Sequence, residues 1–211
     1  MICVSIAHMT QITSALLSDV ELVELRLDLI KEDPHTIFDQ ISQDVKTIAT
    51  CRPGKYIEEE RIAVLKTSLD LGASFIDIEI ESTEESAVEL VAHAQKCGAG
   101  IIVSYHNFEQ TPNREALGQL MKRCFERGGS IAKIATMVNT LEDTRNLISL
   151  YDKPGRKVVL GMGSMGRITR IMAPYLGAEF TFASLGEGRE TAPGQLSLSQ
   201  LNEFYKVINE S

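Results

Sequence analysis

A lysine stands in the middle of the apolar, strand-like run SIAKIATM, residues 130–137, and it needs a chemical reason. A buried ammonium costs several kcal/mol unless it is paired or gives up its proton. Two roles fit Lys133. It can be held in a structural ion pair, or it can lie desolvated near other cations such as Arg26, Arg52 or Arg170, lose its proton and attack a carbonyl carbon to form an imine. A protonated imine is an electron sink that acidifies the adjacent carbon, so a nearby base could then drive elimination or retro-aldol cleavage. His106, in SYHNF, is the candidate base. Its alternative reading is a satisfied core histidine. His8 would reach at most the rim of such a site, and His35 and His93 fall in helical segments and read as surface residues.

The rest of the composition narrows the partners. The net charge of -8 argues against nucleic acid and against a membrane surface, since both are anionic, and leaves a small molecule as the expected partner. No apolar run approaches the roughly 18 residues of a membrane span, and MICVSIAHMT lacks the charged start of a signal peptide, so the expected location is the cytoplasm. Cys3, Cys51, Cys97 and Cys124 are far apart with no CxxC or Cys/His cluster, and read as reduced core thiols. With no HExxH, EF-hand or Walker loop, no metal and no cofactor is expected.

The elements that must position Lys133 and His106 follow a repeated grammar. LGASFIDI, CGAGIIVS, RGGSIAKI, KPGRKVVL and LGAEFTFA each read as helix end, glycine and apolar strand, with Gly72, Gly98, Gly128, Gly155 and Gly177 at left-handed helix ends. With MICVSIA, VELVELRLD and KTIATCR they make eight strands. Seven helical segments lie between them and SLSQLNEFYKVINES adds an eighth. The alternation, without a linker or a change of composition, predicts one domain over residues 1–211, a (β/α)8 TIM barrel near the lower size limit of that fold. A doubly wound open sheet is the alternative. Parity favours the barrel. Glu24, Arg26 and Asp28 alternate with Val23, Leu25 and Leu27; Asp77, Glu79 and Glu81 with Ile76, Ile78 and Ile80; Ser104 and His106 with Val103 and Tyr105. An open parallel sheet covered on both sides should be apolar on both faces, whereas a barrel can turn a polar face inward, carrying Lys133 with it.

Three local signals complete the reading. Ser82 to Glu85 suggests a capping box, and Thr111-Pro112 a helix start. The acidic run Glu58 to Glu60 suits a first helical turn. GMGSMG, Gly161 to Gly166, matches the dinucleotide pattern GxGxxG, but only one strand follows it, so it reads better as a close-approach, anion-binding loop after the seventh strand.

Glu24-Leu25-Arg26-Leu27-Asp28, Arg52, SYHN around His106, KIA at Lys133, ITR at Arg170 and TAPGQ at 191–195 occur in an order that resembles the type I 3-dehydroquinate dehydratases along essentially the whole chain. The resemblance implies a (β/α)8 barrel and the third step of the shikimate pathway, dehydration of 3-dehydroquinate to 3-dehydroshikimate. It implies that Lys133 is the Schiff-base nucleophile and His106 the general base and acid. It further implies that Arg170 binds the substrate carboxylate, that Glu24, Arg26 and Arg52 surround the ring and its hydroxyls, and that Gln195 is the lid glutamine. Thr191 stands where many members carry serine. A homodimer is compatible with it, and no shikimate dehydrogenase domain, to which some members are fused, is expected within these residues.

The chain departs from the family pattern after Arg52. Many members carry there a glutamate that orients the catalytic histidine, whereas CRPGKYIEEER places Pro53, Gly54, Lys55 and Tyr56 in that stretch. A substitute carboxylate is therefore expected at His106, from Glu24, Asp77 or Glu79, with Glu58 or Glu59 behind them. A class I aldolase or a non-catalytic binding barrel would share many of these features and differ in turnover.

Overall fold

The computed structural model describes residues 1–54, 56–186 and 188–210. Strand and helix alternate in the expected order: β1 (Ile2–Ile6), α1 (Thr10–Leu17), β2 (Leu22–Arg26), α2 (Pro34–Phe38), β3 (Lys46–Thr50), α3 (Glu58–Asp70), β4 (Phe75–Glu79), α4 (Glu84–Cys97), β5 (Gly100–Asn107), α5 (Arg114–Glu126), β6 (Ile131–Met137), α6 (Leu141–Ile148), β7 (Lys157–Met162), α7 (Arg167–Met172) and β8 (Thr181–Ser184). A two-residue strand, β9 (Leu196–Ser197), and α8 (Leu198–Asn209) follow. All pairings are parallel and run from β7 through β1 to β8 and β9, so the sheet curls into the expected barrel.

The five punctuating glycines all have positive φ, as a chain leaving a helix for the next strand requires. Two helix starts differ from expectation. The cap of α4 is Thr83, whose hydroxyl accepts from Ser86 N, rather than Ser82. Asn113 caps α5 through Ala116 N, while Thr111 instead donates to the Met137 carbonyl and so ties its loop to the end of β6. Glu58 to Glu60 do form the first turn of α3.

Strand parity sorts the side chains as the sequence suggests. Val23, Leu25, Ile76, Ile78, Val103 and Ile134 join the large apolar cluster between sheet and helices. The opposite faces fill the barrel interior in layers separated by one pleat. At the bottom Cys3, Leu22, Ile48, Ile102, Ile131, Val158 and Phe182 form an apolar plug. One pleat higher, Ser5, Glu24, Thr50, Asp77, Ser104 and Lys133 make a buried polar layer. Another pleat carries Arg26, Glu79 and His106, with Arg52 just past β3, to the C-terminal mouth where barrel sites are built. The cysteine expectation needs one correction: Cys3, Cys51 and Cys124 are buried, but Cys97 is exposed.

No ladder joins β7 to β8. Their lower ends are linked by Glu179 N donating to Lys157 O. Higher up, α7 connects them, with Arg170 Nε donating to Gly161 O and Thr181 Oγ1 to Arg170 O. At the mouth the segment 191–197 fills the seam: β9 pairs with β8 while Gly163 N donates to Pro193 O. This explains GMGSMG. Its glycines serve close approach, with Gly166 packed on the Gly161 backbone and Gly163 against Gly194. The Gly163 and Gly166 amides donate to protein carbonyls, so those two are not offered to an anion.

Gly194 has φ +74°, and a Cβ on it would lie 2.2 Å from Gly163 O. Gly194→Ala is expected to lose roughly 1–3 kcal/mol of stability, the scale of a strained backbone position, read as a lower thermal midpoint. A wild-type midpoint would show that the seam can part without cost.

Candidate active site

A cavity of about 350 Å³ opens at the barrel mouth, within the range of small-molecule sites. Every residue singled out in the sequence for such a site lines it: Glu24, Arg26, Arg52, His106, Lys133, Arg170, Thr191 and Gln195. Ser5, Glu79, Phe108, Met162 and Phe182 join them.

Lys133 enters from β6 and is almost fully buried. Its Nζ lies 2.8 Å from Asp77 Oδ2, 3.5 Å from Glu24 Oε1 and 4.3 Å above the centre of the Phe182 ring. Of the two roles read from the sequence, Lys133 is thus found in an ion pair with two acids, and Arg52 lies beside it on the same Asp77 oxygen. Asp77 also accepts from Arg52 NH2 at 2.9 Å and from Ser104 Oγ at 2.5 Å. Burial alone would raise the Asp77 carboxyl, but Arg52 and Lys133 outweigh it and hold that group well below the usual carboxylate range. Glu24 receives Ser5 Oγ at 2.8 Å and Thr50 Oγ1 at 3.1 Å. It too is lowered, because Lys133, Arg26 and Arg52 together overcome its burial.

His106 sits one pleat above, half-buried, with its ring stacked on Phe108 at 6.3 Å between centroids. Burial, Arg52 and Lys133 push its pKa well below the ordinary histidine value, so the imidazole is neutral and able to take a proton. The expected substitute carboxylate is absent: among the described residues no acid pairs with either ring nitrogen. The candidates are claimed elsewhere. Glu24 and Asp77 belong to the layer of Lys133, and Glu79 is drawn to Arg52 at 3.5 Å and Arg61 at 3.7 Å. Glu58 pairs with Arg61. Arginines reach Asp77, Glu79 and Glu58, whereas Lys133, Ser5 and Thr50 engage Glu24.

Arg26 is forked onto Asp28, at 3.0 and 2.6 Å. Arg170 differs from the other cations. It is only 2% exposed, burial draws its pKa down to about 10, and among the described residues no carboxylate pairs with it. Its Nε is bound by Gly161 O, which leaves the end of the guanidinium for the cavity it lines. Over the mouth, Gln195 Oε1 accepts from Thr191 N and Oγ1 at 2.8 and 3.2 Å, and Gln195 Nε2 reaches Ser5 Oγ at 3.4 Å. His8 stays outside. Sequence reading missed Asp77 as the partner of Lys133; its membership of the same inward face was the available signal.

Such a cavity, lined by a buried lysine, a histidine and a buried arginine, could hold a small anion with a carbonyl carbon within reach of Lys133 in a barrel enzyme. Comparison with known proteins agrees. Residues 2–211 match the family model described as type I 3-dehydroquinase. A 3-dehydroquinate dehydratase of Methanocaldococcus jannaschii is 35% identical, covering 90% of this chain and 88% of the relative, and one of Methanococcus vannielii is 36% identical over 99% and 100%. The crystal structure of 3-dehydroquinate dehydratase from Aquifex aeolicus superposes over 100% of both chains with a TM-score of 0.87 at 27% identity. The chain belongs to the type I 3-dehydroquinase family, hydro-lyases that dehydrate 3-dehydroquinate in the shikimate pathway.

The folded pKa of Asp77 lies below its unfolded value of about 3.9, so the unfolded chain binds the extra proton and stability falls as pH drops through that region. Asp77→Asn is expected to cost roughly 3–5 kcal/mol in urea unfolding at neutral pH, since Arg52 and Lys133 lose a buried partner. It should also flatten the acid limb of the stability curve. An unchanged acid limb would remove Asp77 from that role.

Proposed function

We propose that residues 1–211 act as one catalytic domain in which Lys133 forms the Schiff base with the ring ketone of 3-dehydroquinate and His106 moves the protons. The observation that carries this reading is that a buried lysine, a histidine whose pKa is lowered and a buried arginine with no carboxylate partner among the described residues line one cavity. Arg170 takes the substrate carboxylate in a charge-assisted pair. That contact fixes the ring so that its ketone lies toward Lys133.

The chemistry follows from the layers. A neutral Lys133 nitrogen must be released from its ion pair before it attacks. Asp77, held strongly ionised, is a poor proton acceptor, which leaves His106 as the base at hand. Nζ adds to the ketone carbon and water departs, giving a cationic imine. Asp77 and Glu24 then stabilise that cation as they did the ammonium. His106 removes a proton from the carbon beside the imine, the electrons flow to nitrogen, and the enamine expels the β-hydroxyl as His106 returns the proton. Hydrolysis frees Lys133 and 3-dehydroshikimate, so the net change is loss of one water. Arg26, Arg52 and Glu24 hold ring hydroxyls, and Thr191 and Gln195 cover them. No external cofactor is required.

Every group named comes from one chain, so a homodimer would leave this chemistry unchanged. Among the described residues no helix is long and apolar enough to cross a membrane. Together with net charge -8 and a biosynthetic small-molecule substrate, this supports work in the cytoplasm away from nucleic acid and membrane.

Borohydride reduction in the presence of 3-dehydroquinate is expected to leave a stable adduct on Lys133 and to abolish activity. An adduct mapped to another lysine would overturn the assignment, as would full turnover by Lys133→Ala. His106→Ala should still form the adduct, seen by mass spectrometry, while turnover falls roughly a hundredfold or more. Arg170→Ala should raise KM by roughly ten- to a hundredfold, the worth of a hydrogen bond to a charged group. An unchanged KM would move the carboxylate site elsewhere.

A further inference from the structure

The outer wall carries a second cluster of chemically active side chains, at the end of the barrel away from the cavity. Asp70 is the last residue of α3 and Cys97 the last of α4, and His93 lies one turn before Cys97 on the same helix stripe. His93 Nε2 is 2.7 Å from Asp70 Oδ1, Cys97 Sγ is 3.7 Å from the same oxygen, and one donor atom from each residue falls within 4.8 Å of the others. We propose that Asp70, His93 and Cys97 bind a divalent transition metal, best suited to Zn²⁺, which fastens the C-terminal ends of α3 and α4 together.

Tetrahedral zinc with ordinary bond lengths would set nitrogen and oxygen about 3.3 Å apart and sulfur and oxygen about 3.5 Å apart. From the present spacing, the His93–Asp70 contact would open by about half an ångström and the His93–Cys97 separation, now within 4.8 Å, would settle at about 3.6 Å. Imidazole, thiolate and carboxylate are the donors this ion prefers, and one thiolate plus one carboxylate neutralise its charge. Both helices point their negative dipole ends at the position, and α3 has no basic residue in its last turn to offset its own. The neighbouring Lys66–Glu89 pair, at 2.8 Å, engages the next acid along the stripe. Three protein ligands therefore remain, with solvent at the fourth position. On binding, the Cys97 S–H bond breaks and its proton passes to solvent, the proton on His93 Nε2 that faces Asp70 is given up as the ring takes the tautomer protonated on Nδ1, and the thiolate and the freed Nε2 lone pair bond the metal.

Co²⁺ added to the chelator-stripped full chain tests this. The expected result is a near-ultraviolet thiolate-to-cobalt band that saturates at one ion per chain with micromolar or tighter affinity and is displaced by Zn²⁺. Cys97 is the exposed thiol among the described residues, so Cys97→Ser should abolish the band. His93→Ala should weaken affinity at least tenfold and remove the rise in thermal midpoint given by Zn²⁺. Both variants should keep wild-type dehydration of 3-dehydroquinate. No band, a band that survives Cys97→Ser, or saturation only at millimolar metal would overturn the site.

Discussion

The contact between Asp77 and its two cations, Lys133 and Arg52, is the constraint around which the interior is built. A carboxylate wholly removed from water would be intolerable alone, and each cation would be nearly as costly without it. Asp77 accepts from Lys133, Arg52 and Ser104 at once, and Glu24 repeats the device with Ser5, Thr50 and Lys133. The plug of Leu22, Ile48, Ile102 and Ile131 beneath keeps water from the lower side. The network also locks strand register. A slip of one residue in β4 would turn Asp77 into the apolar layer under the helices and bring Ile76 or Ile78 to face Lys133.

Above this compensated layer the pairing is incomplete. Arg170 has no acid partner among the described residues, and His106 has no acid to favour its charged form by direct contact. The same cations that would attract an anionic ring keep the imidazole neutral before it arrives. Negative charge brought close to Arg52, Lys133 or Arg26 would offset them and ease protonation of His106.

Much of this was legible in the chain. Period-two alternation in VELVELRLD and FIDIEIE told which residues face inward, and glycines at helix ends marked where strands begin, because both signals are local. Which acid meets which cation was not legible. Glu24, Asp77 and Glu79 share an inward face, and only the stagger between strands decides that two of them reach Lys133 while the third meets Arg52 and Arg61. The short β9 was hidden for a similar reason, since two residues in a polar, glycine-containing loop carry no periodicity. The Asp70, His93 and Cys97 cluster escaped because Asp70 lies on another helix; the four-residue spacing of His93 and Cys97 was the visible half of it.

The segment 191–197 has two employments, since it bears Thr191 and Gln195 over the cavity and also completes the wall between β7 and β8. Ligand entry and exit through that side cannot then be the swing of a free flap. Moving the segment aside would break the β9 bridge and the Gly163–Pro193 hydrogen bond, and would thereby open the barrel wall. A molecule that held Thr191 and Gln195 in place would then also hold this part of the wall together.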